Sequence, residues 1–286
     1  MRAMKIDLHC HSLASDGTLS PTDVLAHAAE QEVDVLALTD HDTTAGLAEA
    51  HLAAKQHNIR LINGVEVSVS WMGQTIHIVG LNVDINNKAL QDGLEETRAY
   101  REWRAEEIGR RLAKKRIPDA FEGAKAFAKS GLIARTHFAH FLVEKGYSES
   151  IRDVFKHYLV RGKPGYVPGK WPELDKGVGW ITGAGGIAVV AHPARYRITA
   201  TRLRTLLAEF RESGGVAMEV VSGSHSADDC MSMAAHAKRA ELFASQGSDF
   251  HGPENPWVEL GRLRAMPDSC NTLWESEHWP SDLKTV

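Results

Sequence analysis

The stretch Lys5-Ile6-Asp7-Leu8-His9-Cys10-His11-Ser12, followed at once by Ser15-Asp16-Gly17, decides how the rest of the chain is read. Residues i and i+2 of an extended strand point to one side, so His9 and His11 are placed to converge on one ion, with Cys10 turned into packing. Two imidazoles hold a divalent ion weakly, so the pair calls for more ligands. Five later segments repeat the design. Thr39-Asp40-His41-Asp42 follows Val35-Leu36-Ala37-Leu38, and Gly64-Val65-Glu66-Val67 follows Ile59-Arg60-Leu61-Ile62. The others are Thr75-Ile76-His77-Ile78-Val79-Gly80, Val189-Val190-Ala191-His192-Pro193 and Gln246-Gly247-Ser248-Asp249-Phe250-His251.

Short β-branched runs alternate with helical patterns around these segments. Strands are expected at 5–9, 35–39, 59–68, 75–82, 187–191, 217–221 and 243–247, with 59–68 and 75–82 joined as a hairpin through Met72-Gly73. Helices are expected at 21–31, with Ser20 as N-cap and Pro21 at the first position, and at 44–57, 172–183, 201–213 and 227–240. Such alternation implies an α/β architecture of parallel strands with right-handed crossovers. Each polar cluster stands at the C-terminal end of its apolar run, where a (β/α) barrel gathers its active site. Residues 89–165 carry helical charge periodicity with no strand-like run. They read as a helical insertion over the barrel mouth, leaving 1–88 and 166–286 as the barrel.

Composition narrows the classes. With 286 residues, 43% of them hydrophobic, the chain can bury a sizeable core. A net charge of -4 argues against field-driven binding of nucleic acid across a whole face. Three cysteines without paired spacing indicate neither a disulfide framework nor a zinc knuckle. The unpaired cysteines suit a reducing, cytoplasmic setting. No apolar run approaches the ~20 residues of a membrane helix, so no membrane contact is expected, and no obligate protein partner is evident. Fifteen histidines are the compositional outlier.

The donors at the strand ends are His9, His11, Asp16, His41, Glu66, His77, His192, Asp249 and His251, six imidazoles and three carboxylates. A catalytic zinc takes about three protein ligands, so the set implies two or three divalent ions. Nitrogen and oxygen donors without thiolate suit zinc, manganese or iron, and Glu66 is the best candidate for a bridging carboxylate.

The order HxH with a downstream Asp, then TDHD, GVE, a strand His, AHP and SDFH resembles the PHP (polymerase and histidinol phosphatase) domain superfamily. Within it, the closing SDFH and the helical insertion between the fourth and fifth strands resemble the 3',5'-nucleotide bisphosphate phosphatases. Some members of that group are 5'-to-3' exoribonucleases of the RNase AM type. The resemblance implies a distorted seven-stranded barrel with a trinuclear site. One ion would take His9, His11, Glu66 and Asp249; a second would share Glu66 and add His77 and His192; a third would take Asp16, His41 and His251. Asp16 stands where some relatives carry histidine. Glu66, Asp249 and His251 are the expected catalytic groups. The implied reaction is hydrolysis of nucleotide phosphomonoesters, 3',5'-nucleoside bisphosphates to nucleoside 5'-phosphate plus phosphate, extending to trimming of short RNA from the 5' end, by in-line attack of water.

Substrate contacts are expected from Arg135 and His137 in the insertion, Lys163 and Tyr166 where it rejoins the barrel, Arg195 and Tyr196 after His192, and His225 after the sixth strand. Arg101, Arg104, Arg110, Arg111, Lys114 and Lys115 alternate with glutamates and read as a solvated helix face. Competing readings are an amidohydrolase-type deaminase or amide hydrolase, a phosphatase of histidinol-phosphate-like small molecules, and a metal-stabilised scaffold. The first commonly bridges its ions with a carboxylated lysine, where this chain carries Glu66.

Overall fold

The computed structural model describes residues 4–129 and 132–281. Its strands are β1 (Ile6–Cys10), β2 (Val35–Leu38), β3 (Arg60–Trp71), β4 (Gln74–Leu81), β5 (Ile187–Val190), β6 (Ala217–Ser222) and β7 (Phe243–Gly247). They form one seven-stranded sheet in chain order. Beyond β7 the chain meets β1 again: Asp249 N–H donates to His9 O and His11 N–H to Phe250 O, each at 2.8 Å. The sheet therefore curls into a nearly closed barrel, and the polar exits of β1 and β7 lie side by side.

Strand direction bears out the hairpin through Met72-Gly73 and corrects the expectation of parallel strands throughout. The sheet is parallel except at β4, which runs antiparallel to both β3 and β5. The cause is local, because Met72 and Gly73 adopt positive φ of 45° and 73°, and a two-residue loop of that kind can join only antiparallel neighbours. Ser68, late in β3, consequently pairs with His77, early in β4. His77 reaches the mouth from the N-terminal half of its strand, not from a C-terminal end.

Helices cover the outside. Ser20 accepts from the Asp23 N–H ahead of Pro21, and α1 (Pro21–Glu30) begins there. It is followed by α2 (Leu47–His57), α3 (Lys88–Ala113), α4 (Ala120–Phe127), α5 (Arg135–Glu144) and α6 (Ile151–Val154), which runs into a π-helical turn at Phe155–Leu159. Then come α7 (Leu174–Gly183), α8 (Ala200–Glu212) and α9 (Ala227–Ala240). The α2 and α7 starts lie a few residues later than the pattern suggests, and β3 extends to Trp71.

Side chains follow the period of two. Val35, Ala37, Ile62, Val79, Leu81, Val189 and Ala191 pack together in a cluster without helix residues, the barrel interior, and Leu273 and Trp279 of the tail join it. Their neighbours Val65, Val67, Ile78 and Val190 pack outward with Val178, Leu206 and Ala234 of α7, α8 and α9. Helix α3 serves two cores: Leu90 and Leu94 join this outer cluster, whereas Ile108 and Leu112 join Phe138, Leu142 and Val154 in a separate helical one.

Candidate metal centre and substrate pocket

The nine donors meet around Glu66, whose side chain is fully buried on β3. Its Oε2 lies 3.3 Å from His9 Nε2, 3.2 Å from His11 Nε2 and 2.9 Å from His41 Nδ1. Oε1 lies 2.9 Å from His77 Nδ1 and 3.1 Å from His192 Nε2. Asp249 Oδ1 stands 3.5 Å and 3.3 Å from the same Nε2 atoms of His9 and His11. Asp16 Oδ1 faces His251 Nε2 at 3.3 Å and His41 Nε2 at 3.9 Å.

Backbone turns at the strand exits aim these groups. Asp42, His192 and Asp249 have positive φ of 51°, 30° and 57°, a conformation that costs non-glycine residues of order 1–3 kcal/mol. Hydrogen bonds hold it in place. The Asp42 carboxylate accepts from Ser68 N–H at 2.7 Å, and His192 N–H donates to Glu219 Oε2 at 2.6 Å.

The cluster has the chemistry of a cation site. Buried Asp16 Oδ1, His41 Nδ1 and Glu66 Oε2 have no hydrogen-bond partner. A native interior keeps such atoms unpaired only where something else meets them. Three groups have donor atoms within 4.8 Å of one another: His9, His11, Glu66 and Asp249; His11, Asp16, His41 and His251; and His41, Glu66 and His77. Burial favours neutral carboxyls at Asp16, Glu66 and Asp249, yet the facing histidines hold all three well below the usual carboxylate range. Burial pushes His41 down to about 4, leaving a neutral ring.

A cavity of about 300 Å³ opens over the cluster. Arg101, Arg104, Arg135, Arg195, Trp171 and Phe155 line it together with Asp16, His41, Glu66, His77, His192, Asp249 and His251. Two of these arginines overturn the reading of α3 as a solvated face. Arg101 and Arg104 are each 8% exposed. They continue the helix stripe of Leu90, Leu94, Thr97, Ile108 and Leu112, a spacing present in the sequence, whereas Arg110 and Arg111 pair at the surface with Glu107. Arg101 donates to Asp42 Oδ2 at 2.5 Å and to Ser68 Oγ at 2.8 Å. Its guanidinium lies 5.0 Å from the Trp171 ring centre and that of Arg104 5.5 Å. Burial first, then Arg135 and Arg101, pull Arg104 down to about 9.

The expected substrate residues divide. Arg135, Arg195 and Tyr196 line the cavity. Arg195 also pairs with Asp249 at 2.5 Å, and the Tyr196 hydroxyl accepts from His77 N–H at 2.8 Å, so it anchors β4. His137, Lys163, Tyr166 and His225 are not among its lining residues. His137 Nδ1 accepts from Ala134 N–H at the start of α5, and His225 is buried with Nδ1 bonded to Val220 O, so local backbone engages Nδ1 of both rings. Lys163 is exposed in the turn after Val160, and the Tyr166 carbonyl accepts from Arg111. Sequence reasoning missed Glu219, Trp171, Phe155 and Thr136, whose hydroxyl donates to Asp16 Oδ2 at 3.1 Å. Glu219 had a signal, a lone carboxylate inside the run Ala217-Met218-Glu219-Val220-Val221.

The PHP domain family model matches residues 7–160. A 3',5'-nucleoside bisphosphate phosphatase of Chromobacterium violaceum is 48% identical, covering 94% of this chain and 95% of its own. The 5'-3' exoribonuclease Rnm of Escherichia coli is 44% identical, covering 98% of this chain and 96% of its own. A solved Chromobacterium violaceum structure, named an amidohydrolase and holding sulfate without metal, superposes with a TM-score of 0.91 at 48% identity over 94% of each chain. With this family match and these identities over nearly the whole chain, the chain belongs to the PHP domain family.

Proposed function

We propose that the chain is a metal-dependent phosphoesterase acting on nucleotides. It converts 3',5'-nucleoside bisphosphates to nucleoside 5'-phosphates and trims short RNA from the 5' end. One observation carries this reading: seven of the nine donors and four guanidiniums line a single cavity. The names of the Chromobacterium and Escherichia relatives support the same two activities.

The ligand sets we propose are His9, His11, Glu66 and Asp249 for one ion, Glu66, His77 and His192 for a second, and Asp16, His41 and His251 for a third. Manganese, zinc or iron suits such donors. When bound, the ions supply Lewis-acid stabilisation of phosphoryl oxygens and a water acidic enough to attack near neutral pH. Glu66, central to the cluster, holds the donor rings in one arrangement. Arg195, with Asp249, and His251, beside Asp16, stand where they can meet charge developing on a leaving oxygen. The helical segment 89–165 acts as an insertion completing the pocket, since Arg101, Arg104, Arg135 and Phe155 all come from it.

Four arginines suit a substrate with a second phosphate better than histidinol phosphate, because guanidinium forks match phosphate oxygens. Glu66 at the centre, in the place of a bridging lysine, disfavours a deaminase or amide hydrolase. Among the described residues no helix is long and apolar enough to cross a membrane, and the three cysteines are unpaired, which supports a cytoplasmic enzyme. The test is phosphate release from a panel of nucleoside mono- and bisphosphates, short RNA and histidinol phosphate, with manganese or zinc supplied. The reading expects the bisphosphates to be used best. Ammonia release from an amide with no phosphate from any nucleotide would reverse it.

A further inference from the structure

We propose that Glu219 is a positioning residue that sets His9 and His192 and thereby governs how tightly the centre holds divalent ions. The inference rests on the metal-centre reading. Among the described residues β6 is the one barrel strand whose residues and exit contribute nothing to the nine donors. It contributes Glu219 instead, 1% exposed and outside every donor group.

Both carboxylate oxygens are engaged. Oε1 accepts from His9 Nδ1 at 2.7 Å and Oε2 from His192 N–H at 2.6 Å. A carboxylate placed in an apolar strand is strongly unfavourable without such donors, so its presence needs a task. Accepting the hydrogen bond from Nδ1–H fixes the His9 tautomer, and Nε2 is left with its lone pair toward Glu66 and Asp249. The bond to His192 acts on backbone. His192 sits at φ 30° and ψ 53°, and anchoring its N–H holds the turn that brings Nε2 to Glu66.

Gly247 on β7 makes room for this arrangement. A Cβ there would stand 2.2 Å from the His9 Cβ and 3.1 Å from Glu219 Oε1. One carboxylate thus couples ring orientation on β1 to chain direction after β5.

Zinc affinity tests the proposal without reference to turnover. Metal-free wild type, Glu219→Gln and Glu219→Ala are titrated with zinc against a chromophoric chelator, with circular dichroism as the check on folding. Expected is a loss of about 10- to 100-fold in affinity for one ion in the alanine variant. Glutamine keeps one acceptor oxygen and turns an NH2 toward the other donor, so its loss is smaller. Wild-type stoichiometry and affinity in both variants overturn the proposal. Where a variant does not fold, NMR of zinc-loaded wild type decides: a slowly exchanging proton on His9 Nδ1 supports it, and a proton on Nε2 overturns it. A wild type that takes up no zinc overturns the metal-centre reading itself, a result distinct from loss confined to the variants.

Discussion

The guanidinium of Arg101, on the long helix α3, donates to the carboxylate of Asp42, one residue beyond the metal-donor candidate His41, at 2.5 Å. Both groups are buried. The contact ties the helical segment to the loop that carries the site, so the pocket wall and the donor cluster are built as one unit. Replacing Arg101 by alanine leaves the Asp42 carboxylate buried without its charge partner. Urea unfolding of Arg101→Ala is expected to show a loss of about 3–5 kcal/mol. A loss below about 1 kcal/mol would mean the contact is incidental.

Arg104 tests the second-phosphate reading more cleanly, because its recorded bonds go to the Val167 carbonyl and not to a carboxylate. Losing a charge-assisted contact worth about 1.5–3 kcal/mol corresponds to roughly a 10- to 100-fold change. Arg104→Ala should raise KM for a nucleoside 3',5'-bisphosphate by that factor and leave a nucleoside 3'-phosphate nearly unaffected. Equal loss on both substrates would assign Arg104 to something other than the second phosphate.

Glu66 and Asp249 separate catalysis from scaffolding. Glu66→Gln and Asp249→Asn keep shape while removing charge from groups that five and two imidazoles respectively face within 3.5 Å at Nε2 or Nδ1. Phosphate release should fall at least about 10³-fold, with circular dichroism unchanged. Unfolding of both variants with metal supplied would favour a structural role for the cluster.

The legible part of this molecule is what local pattern encodes. The nine donors stand out because each lies beside an apolar strand run, and the seven strands themselves are readable from the same runs. The direction of β4 is encoded too, in the Met72-Gly73 turn, although the alternation of elements pulls the reading toward a parallel strand. Arg101 and Arg104 are harder. Neighbouring glutamates mimic a solvated face, and only their place on the stripe from Leu90 to Leu112 reveals burial. Trp171 and Phe155 carry no local signal, because their position in the pocket depends on how the helical segment packs. His137 and His225 mislead for the converse reason, since a nearby backbone group engages Nδ1 of each ring.

The separate core of the helical segment predicts a stability effect far from the chemistry. Phe138 is completely buried among Ile108, Leu112, Leu142 and Val154. Phe138→Ala should cost about 3–5 kcal/mol in urea unfolding. Because Phe155 packs against this core and lies 5.6 Å from the Arg135 guanidinium, the same variant should also raise KM for the bisphosphate.

The central claim is hydrolysis at phosphorus, and the fate of the solvent oxygen tests it most directly. A nucleoside 3',5'-bisphosphate is turned over in ¹⁸O-water with manganese or zinc present, and both products are read by mass spectrometry. The account predicts one solvent oxygen in the released phosphate and none in the nucleoside 5'-phosphate. Label in the nucleoside instead, or product formation that persists after exhaustive chelation of divalent metal, would contradict it.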